Sequence, residues 1–429
     1  MVKAIVGANW GDEGKGKITD MLAENADIVI RFQGGSNAGH TIKNKYGKFA
    51  LHMLPSGIFS ERTTCIVGNG VALNIPKLIE EINSLVEQGV PQPKLLVSDR
   101  AHIVMPYHIL LDGYEEARLA GKAFGSTKSG IAPCYSDKYA KIGFQVKELF
   151  MDEQALRERV ENVCVIKNTL IEHLYHQPAL VPEEIFQTLL EYREMIRPYV
   201  ADTALYLHKA LKEGKEILLE GQLGTMKDMD HGIYPMVTSS NTISGFGGPG
   251  AGIPPYEIKQ VIAVTKAYSS SVGGGDFVSE IFGDEAEELR RRGGDGGEYG
   301  ATTHRPRRVG WYDCVASRYG CMLQGATDVA LTVLDPLGYL DEIPLCVGYE
   351  MNGEVIQDMP HTTELMHCKP VYKMMKGWKC DITGIRKFEE LPVECQEYVN
   401  EIERQLGYPI TMVSNGPARE DIIYRTPLI

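Results

Sequence analysis

The run Trp10-Gly11-Asp12-Glu13-Gly14-Lys15-Gly16-Lys17 follows directly on a short apolar stretch, Val2-Lys3-Ala4-Ile5-Val6. Gly11 and the Gly16-Lys17 pair satisfy the spacing G-x-x-x-x-G-K of a phosphate loop. Glycines let backbone N–H groups turn inward onto phosphate oxygens, and the next helix adds the partial positive charge of its N-terminus. Ile18, Met21 and Leu22 give that helix an apolar face. Strand, loop and helix in this order favour an α/β unit over a surface Gly/Lys turn. One slot departs from the pattern. Ile18 stands where a Ser or Thr hydroxyl ordinarily meets Mg²⁺, so a metal here must find other oxygens. Asp12 is the candidate, because a carboxylate beside phosphates repels them unless it binds metal or moves a proton.

A second polar run, Gln33-Gly34-Gly35-Ser36-Asn37-Ala38-Gly39-His40-Thr41, follows another predicted strand over Asp27 to Phe32. Lone histidines are usually structural. This one follows a strand end, in the kind of loop where open α/β sheets place ligands.

The remaining chain bounds the class. Its 429 residues, 43% hydrophobic, can bury a large core, and length alone suggests two or three domains. A formal net charge of −13 argues against nucleic acid as a partner. Nine cysteines without a C-x-x-C pair point to a reducing, cytoplasmic setting. No signal peptide or spanning segment is expected, since the chain enters a strand at once. The spacing of His361, His367, Cys368 and Cys380 matches no standard zinc site. Helical pattern over Lys77 to Glu87 among short apolar runs implies βα units and a largely parallel sheet. Residues from about 150 to 213 read as helical throughout, with Pro182 starting one helix and Ile185, Leu189, Tyr192 and Ile196 on its buried face. Gly214 caps the next, and Glu216 to Glu220 returns to strand.

The two opening runs resemble those of the adenylosuccinate synthetase family. So do His52-Met53-Leu54-Pro55-Ser56-Gly57-Ile58, Val67-Gly68-Asn69-Gly70-Val71, Asp230-His231-Gly232-Ile233-Tyr234-Pro235 and Val237-Thr238-Ser239-Ser240-Asn241-Thr242. Lys266-Ala267-Tyr268-Ser269, Gly300-Ala301-Thr302-Thr303 and Ser414-Asn415-Gly416-Pro417 continue the likeness in family order to the far end. The resemblance implies one α/β domain over residues 1–429, a P-loop-like GTP-binding ligase fold with a large, mostly parallel central sheet flanked by helices. It implies a cytoplasmic homodimer of purine biosynthesis that joins L-aspartate to IMP, with GTP as co-substrate and Mg²⁺ as metal.

The chemistry explains why both runs are needed. The purine 6-oxo group cannot leave as an oxide, so it must first be phosphorylated. The resemblance makes Asp12 the base for the ring N1 proton and, with the Gly39 carbonyl, a Mg²⁺ ligand. His40 is the acid or electrostatic partner of the phosphoryl oxygen, and Lys15 stabilises the transferring group. GTP would meet Gly11, Glu13, Gly14, Lys15, Gly16, Lys17, Gly39, Thr41, Arg307, Ser414, Asn415 and Gly416, with Asp335 reading guanine at the end of a strand Leu331 to Asp335. IMP would meet Asp12, Asn37, Ala38, Thr127, Lys128, Gln222, Leu223, Thr238 and Arg305, with Lys141 reaching it across the dimer. Thr302, Thr303, His304 and Arg305 would hold aspartate, since hydroxyls and forked guanidiniums suit a dicarboxylate. Arg290 to Glu298 reads as a mobile approach to that segment.

Five departures from the family pattern bear on specificity. Val333 stands at the lysine of the T-K-L-D guanine motif. Lys128-Ser129 replaces a Gly-Arg pair, and Lys141 replaces an arginine. In Glu220-Gly221-Gln222-Leu223-Gly224-Thr225 the family glutamine that polarises the 6-oxo group falls on Leu223, with Gln222 one residue early as its candidate substitute. His304 replaces a glycine. These motivate an alternative acceptor, a guanine nucleotide such as GMP or dGMP converted to a 2-amino analogue. A non-catalytic guanine-nucleotide switch is the remaining alternative, disfavoured by Asp12, His40 and the aspartate segment.

Overall fold

The structure, a computed structural model, describes residues 1–122, 124–294, 296–300 and 305–427. Ten strands form the central sheet: β1 (Val2–Gly7), β2 (Ile28–Arg31), β3 (Thr64–Val67), β4 (Leu95–Ser98), β5 (Val200–Ala201), β6 (Ile217–Gly224), β7 (Ile258–Lys266), β8 (Asp328–Thr332), β9 (Ile410–Ser414) and β10 (Ile422–Tyr424). Their order across the sheet is β10-β9-β8-β7-β1-β6-β2-β3-β4-β5. Neighbours run parallel except β9 and β10, which are antiparallel.

Both faces of this sheet are covered, as parallel sheets require. On β1, Val2, Ala4 and Val6 enter one apolar cluster and Ile5 another. The period-2 alternation of strand side chains thus feeds two cores from one buried strand. Loops after β1, β2, β6, β7, β8 and β9 all leave the same edge, which is where the candidate site lies.

Two expectations change. The segment from 150 to 213 is not helical throughout: helices Glu153–His173, Pro182–Ile196 and Thr203–Lys212 are interrupted by β5. A two-residue strand has no periodicity to read, and β5 exists only because β4 offers it a partner at Val97 and Ser98. The strand expected over Leu331 to Asp335 ends at Thr332, because Val333 takes a left-handed conformation at φ 57° and Asp335 opens a short 3₁₀ turn. The Pro182 helix start holds, with Ile185, Leu189 and Ile196 buried. Gly214, at φ 71°, follows the next helix as a left-handed terminator.

Candidate active site

The helix behind the first loop, α1 (Lys15–Ala23), is entered through Gly14 at φ 94°. Lys15, Gly16 and Lys17 therefore form its first turn, where backbone donors are unpaired. Gly16 is a steric requirement: a Cβ there would lie 2.8 Å from Cβ of His40. The two glycine-rich runs thus touch at that point. Inside the loop, Glu13 is turned inward, accepting from the N–H groups of Asn9 at 3.1 Å and Gly11 at 2.8 Å and pairing with buried Lys15. Lys17 donates to Ser414 Oγ and to the carbonyl of Gly416, each at 2.7 Å, so the first turn of α1 meets the end of β9. Burial pushes its ammonium down to about 8. Asn415 is turned away, with its amide on the carbonyls of Ile382 and Ile385. Asp335 lies close enough to Lys17 to feel its charge, yet burial pushes its carboxyl up to about 6.

His40 begins the hairpin His40–Asn44/Gly47–Leu51, on which Thr41 is exposed. Its Nδ1 sits 2.5 Å from Oε1 of Glu220, a fully buried carboxylate that also accepts from Ser56 N at 2.7 Å and lies 3.8 Å from Nε of Arg31. Burial opposes the charge of Glu220, but Arg31, His40 and Ser56 together hold it down at about 2. Burial, then Arg31, pushes His40 down to about 4 against the pull of Glu220. The carboxylate must accept, so Nδ1 carries the proton of a neutral ring and Nε2 is left unprotonated. Glu220, Arg31 and Ser56 escaped the sequence reading as a site. The signal was there: a charged residue inside each of two apolar strands.

A cavity of about 590 Å³ gathers Asp12, Asn37, Ala38 and Gly39 with Thr127, Leu223, Thr238 and Arg305. Asp12 has φ 58° and lies 3.0 Å, Oδ2 to Nε, from Arg307. Arg307 Nη1 donates to Glu298 at 2.7 Å, and Lys266 Nζ reaches the same carboxylate at 2.7 Å. Burial would raise the Glu298 carboxyl, yet Lys266 and Arg307 bring it down to about 2. Burial works against Arg307 as well, and Asp12 and Glu298 more than offset it. Arg290 to Arg292 close the helix Gly283–Arg292, and Glu298 is completely buried as the anchor of two cations. The segment Thr302, Thr303 and His304 lies outside the described residues.

Gln222 and Lys128 fall elsewhere than expected, and Lys141 lies outside this chain's own cavity. Gln222 is not on the cavity wall: its Oε1 accepts from Gly35 N at 2.9 Å, and its Nε2 donates to the carbonyls of Gly35 at 2.9 Å and His52 at 3.2 Å. A register shift between β1 and β6, where Ile5 pairs with Glu220 but Gly7 with Gly224, accommodates Leu223 at φ 58°. That bulge sends Leu223 to the cavity and Gln222 into the glycine loop. Lys128 and Lys141 are both exposed and both left-handed, at φ 55° and 64°, and neither lines this chain's cavity.

A phosphate loop at the strand-end edge of a parallel sheet, packed on a buried histidine and facing a cavity lined by a carboxylate and an arginine, defines a nucleotide-dependent α/β enzyme. A family model for adenylosuccinate synthetase matches residues 4–423, and the adenylosuccinate synthetase of Bifidobacterium adolescentis is 46% identical over 426 residues, covering 99% of each chain. The chain belongs to the adenylosuccinate synthetase family, the GTP-dependent ligases of purine biosynthesis that join aspartate to IMP. The structure of fully ligated adenylosuccinate synthetase from Plasmodium falciparum matches with a TM-score of 0.91 at 36% identity, over 99% of each chain. A cyanophage S-2L succinoaminodeoxyadenylate synthetase, solved with dGMP and dATP, shares the fold at TM-score 0.63 and 18% identity, over 99% of this chain and 95% of that one.

Proposed function

We propose that this chain ligates L-aspartate to IMP through a 6-phosphoryl-IMP intermediate, releasing adenylosuccinate, GDP and phosphate. The observation that carries this reading is the cavity that joins Asp12 to Asn37, Gly39 and Arg305, with the phosphate-loop helix starting three residues after Asp12. Asp12 removes the N1 proton, and the 6-oxyanion attacks the γ-phosphate of GTP. His40, neutral and oriented by Glu220, presents Nε2 to the phosphoryl oxygen, and Lys15 with the loop N–H groups balances the transferring charge. The amine of aspartate then displaces phosphate. Arg305, with Thr302, Thr303 and His304, holds the dicarboxylate. Asn37, Ala38, Thr127, Leu223 and Thr238 contact IMP. Gly11, Gly14, Gly16, Lys17, Thr41, Arg307, Ser414 and Gly416 serve GTP, with Asp335 on guanine.

The donor set suits Mg²⁺. Asp12 and the backbone carbonyl of Gly39 are hard oxygen donors on one cavity wall, and no three His, Cys, Asp or Glu side chains gather as a metal site among the described residues. Mg²⁺ bound there would take most of its shell from substrate phosphates and neutralise their charge.

The chain would act as one unit over residues 1–429 and as a homodimer. Support for the first is that β1 and β9, from opposite ends of the chain, share a sheet. Support for the second is an exposed apolar stripe, Val165, Ile166, Leu170 and Leu174, with Tyr139 beside Lys141 exposed as well. Lys141 would then reach the neighbouring IMP. Among the described residues no helix is long and apolar enough to cross a membrane, and a cytoplasmic location is part of this proposal.

Leu223 on the cavity wall keeps a second reading open, the same chemistry on GMP or dGMP. Purified protein with Mg²⁺ and aspartate, assayed with GTP or ATP against IMP, GMP and dGMP, separates the two. Phosphate release with IMP sustains the first reading. Release with a guanine nucleotide and not with IMP overturns it.

A further inference from the structure

Lys227 closes the 3₁₀ turn Thr225–Lys227 that follows β6, and it lines the substrate cavity while being only 7% exposed. Its ammonium donates to two backbone carbonyls, Met236 at 3.1 Å and Gly274 at 3.3 Å, and both residues belong to the same cavity wall. A lysine has three N–H donors, so one is left over. Among the described residues no carboxylate forms an ion pair with it. The neighbouring acid, Asp228, is occupied by the backbone N–H groups of Asp230, His231 and Thr242. The charged group that does act on Lys227 is another cation, Arg308, whose own carboxylate partner is Glu280 and whose Nη1 holds the carbonyls of Gly273 and Gly275. Three consecutive carbonyls of the loop Gly273 to Gly275 therefore each face a cation.

Buried lysines are rare unless a counter-charge compensates them. Here carbonyl dipoles compensate in part, and burial still pushes the ammonium down to about 8. The missing partner is an anion, and the space beside it is the cavity in which the ligase reading places two anionic substrates.

We propose that Lys227 is a substrate-contacting residue of this cavity, its ammonium meeting a negatively charged oxygen, either a carboxylate of the amino-acid substrate or the phosphate of the nucleoside monophosphate. The proposal rests on the ligase reading. Its geometry separates it from a purely structural role through the choice of substitution. Lys227→Gln keeps two N–H donors for Met236 and Gly274 and removes the charge, whereas Lys227→Met removes both.

The test is the KM of each substrate for wild type and both variants, with calorimetric titration of IMP and of aspartate and a melting curve for each protein. Lys227→Gln is expected to keep the wild-type melting temperature and raise KM about 10- to 100-fold, the range for losing a hydrogen bond to a charged group. A rise for aspartate identifies the carboxylate arm, and a rise for IMP the phosphate arm. Unchanged KM for both, a change confined to GTP, or a uniform loss of kcat with lower melting temperature would overturn the proposal. Wild-type turnover of IMP in the same assay keeps that failure distinct from failure of the ligase reading.

Discussion

Asp12 Oδ2 lies 3.0 Å from Nε of Arg307, whose other arm is held by buried Glu298. The proposed base is thus matched with a cation whose own position is fixed from behind. Asp12 remains partly exposed at 28%, so its pair with Arg307 contributes little to stability, about 0–1 kcal/mol. Asp12→Asn should therefore lose roughly 10²- to 10⁴-fold in kcat with a near-wild-type melting curve. A large loss of stability together with activity would argue that Asp12 is structural.

The His40–Glu220 pair predicts acid sensitivity. His40 is held at about 4, below its ordinary 6.5, so the unfolded chain takes up a proton that the folded chain refuses as pH falls from 6.5 to 4. Glu220, held at about 2, adds a second loss as pH falls from its ordinary 4.5 toward 2. Both signs agree: stability is fuller near neutrality and falls on acidification. The unfolding free energy from denaturant titrations between pH 7 and 4 should drop, by roughly 3 kcal/mol from His40 at about 1.4 kcal/mol per pKa unit. His40→Asn should flatten that limb.

Asp335 gives a pH dependence of a different kind. Burial raises its carboxyl to about 6, so below that pH it is protonated and the proposed acceptance of two guanine N–H donors is lost. The KM for GTP should rise as pH falls below about 6 while that for IMP follows another course. Asp335→Asn should abolish this limb and narrow the preference for GTP over ATP by about tenfold or more, as expected when a charge-assisted hydrogen bond is removed.

Gln222 and Gly34 form an interlocked pair. Gly34 has φ 84°, and a Cβ there would lie 1.9 Å from Oε1 of Gln222. Gly34→Ala should therefore displace the loop that carries Asn37 and raise KM for IMP. Gln222→Ala leaves Gly35 N unsatisfied, at about 1–3 kcal/mol, and should lower the melting temperature. If Gln222→Ala changed kcat alone, with stability intact, the amide would be acting on substrate after all.

Much of the frame was legible because it is local. Val2 to Val6 announces a strand by its apolar run, and Gly11, Gly14 and Gly16 announce a loop because few other residues turn that tightly. Motif recognition picked out residues far apart in the chain that the fold brings together, such as Lys17 with Ser414 and Gly416. Gln222 was misplaced because neighbouring strand residues point to opposite faces, and only the bulge against β1 decides which of Gln222 and Leu223 sees the cavity. The burial of Glu298 was illegible for a related reason, since nothing in a Gly-rich, Arg-rich stretch announces that Lys266 and Arg307 gather around its carboxylate.

By itself, then, the sequence determined the phosphate loop, the βα character of the N-terminal region and the chemical types needed for a GTP-dependent ligation, because each rests on a few adjacent residues. Tertiary structure alone decided that β1 lies between β6 and β7, that Glu220 orients His40, and that Arg307 faces Asp12. Those pairings join residues far apart in the chain, and no local propensity encodes them. They are fixed by how ten strands pack and by where buried charges find their counter-charges.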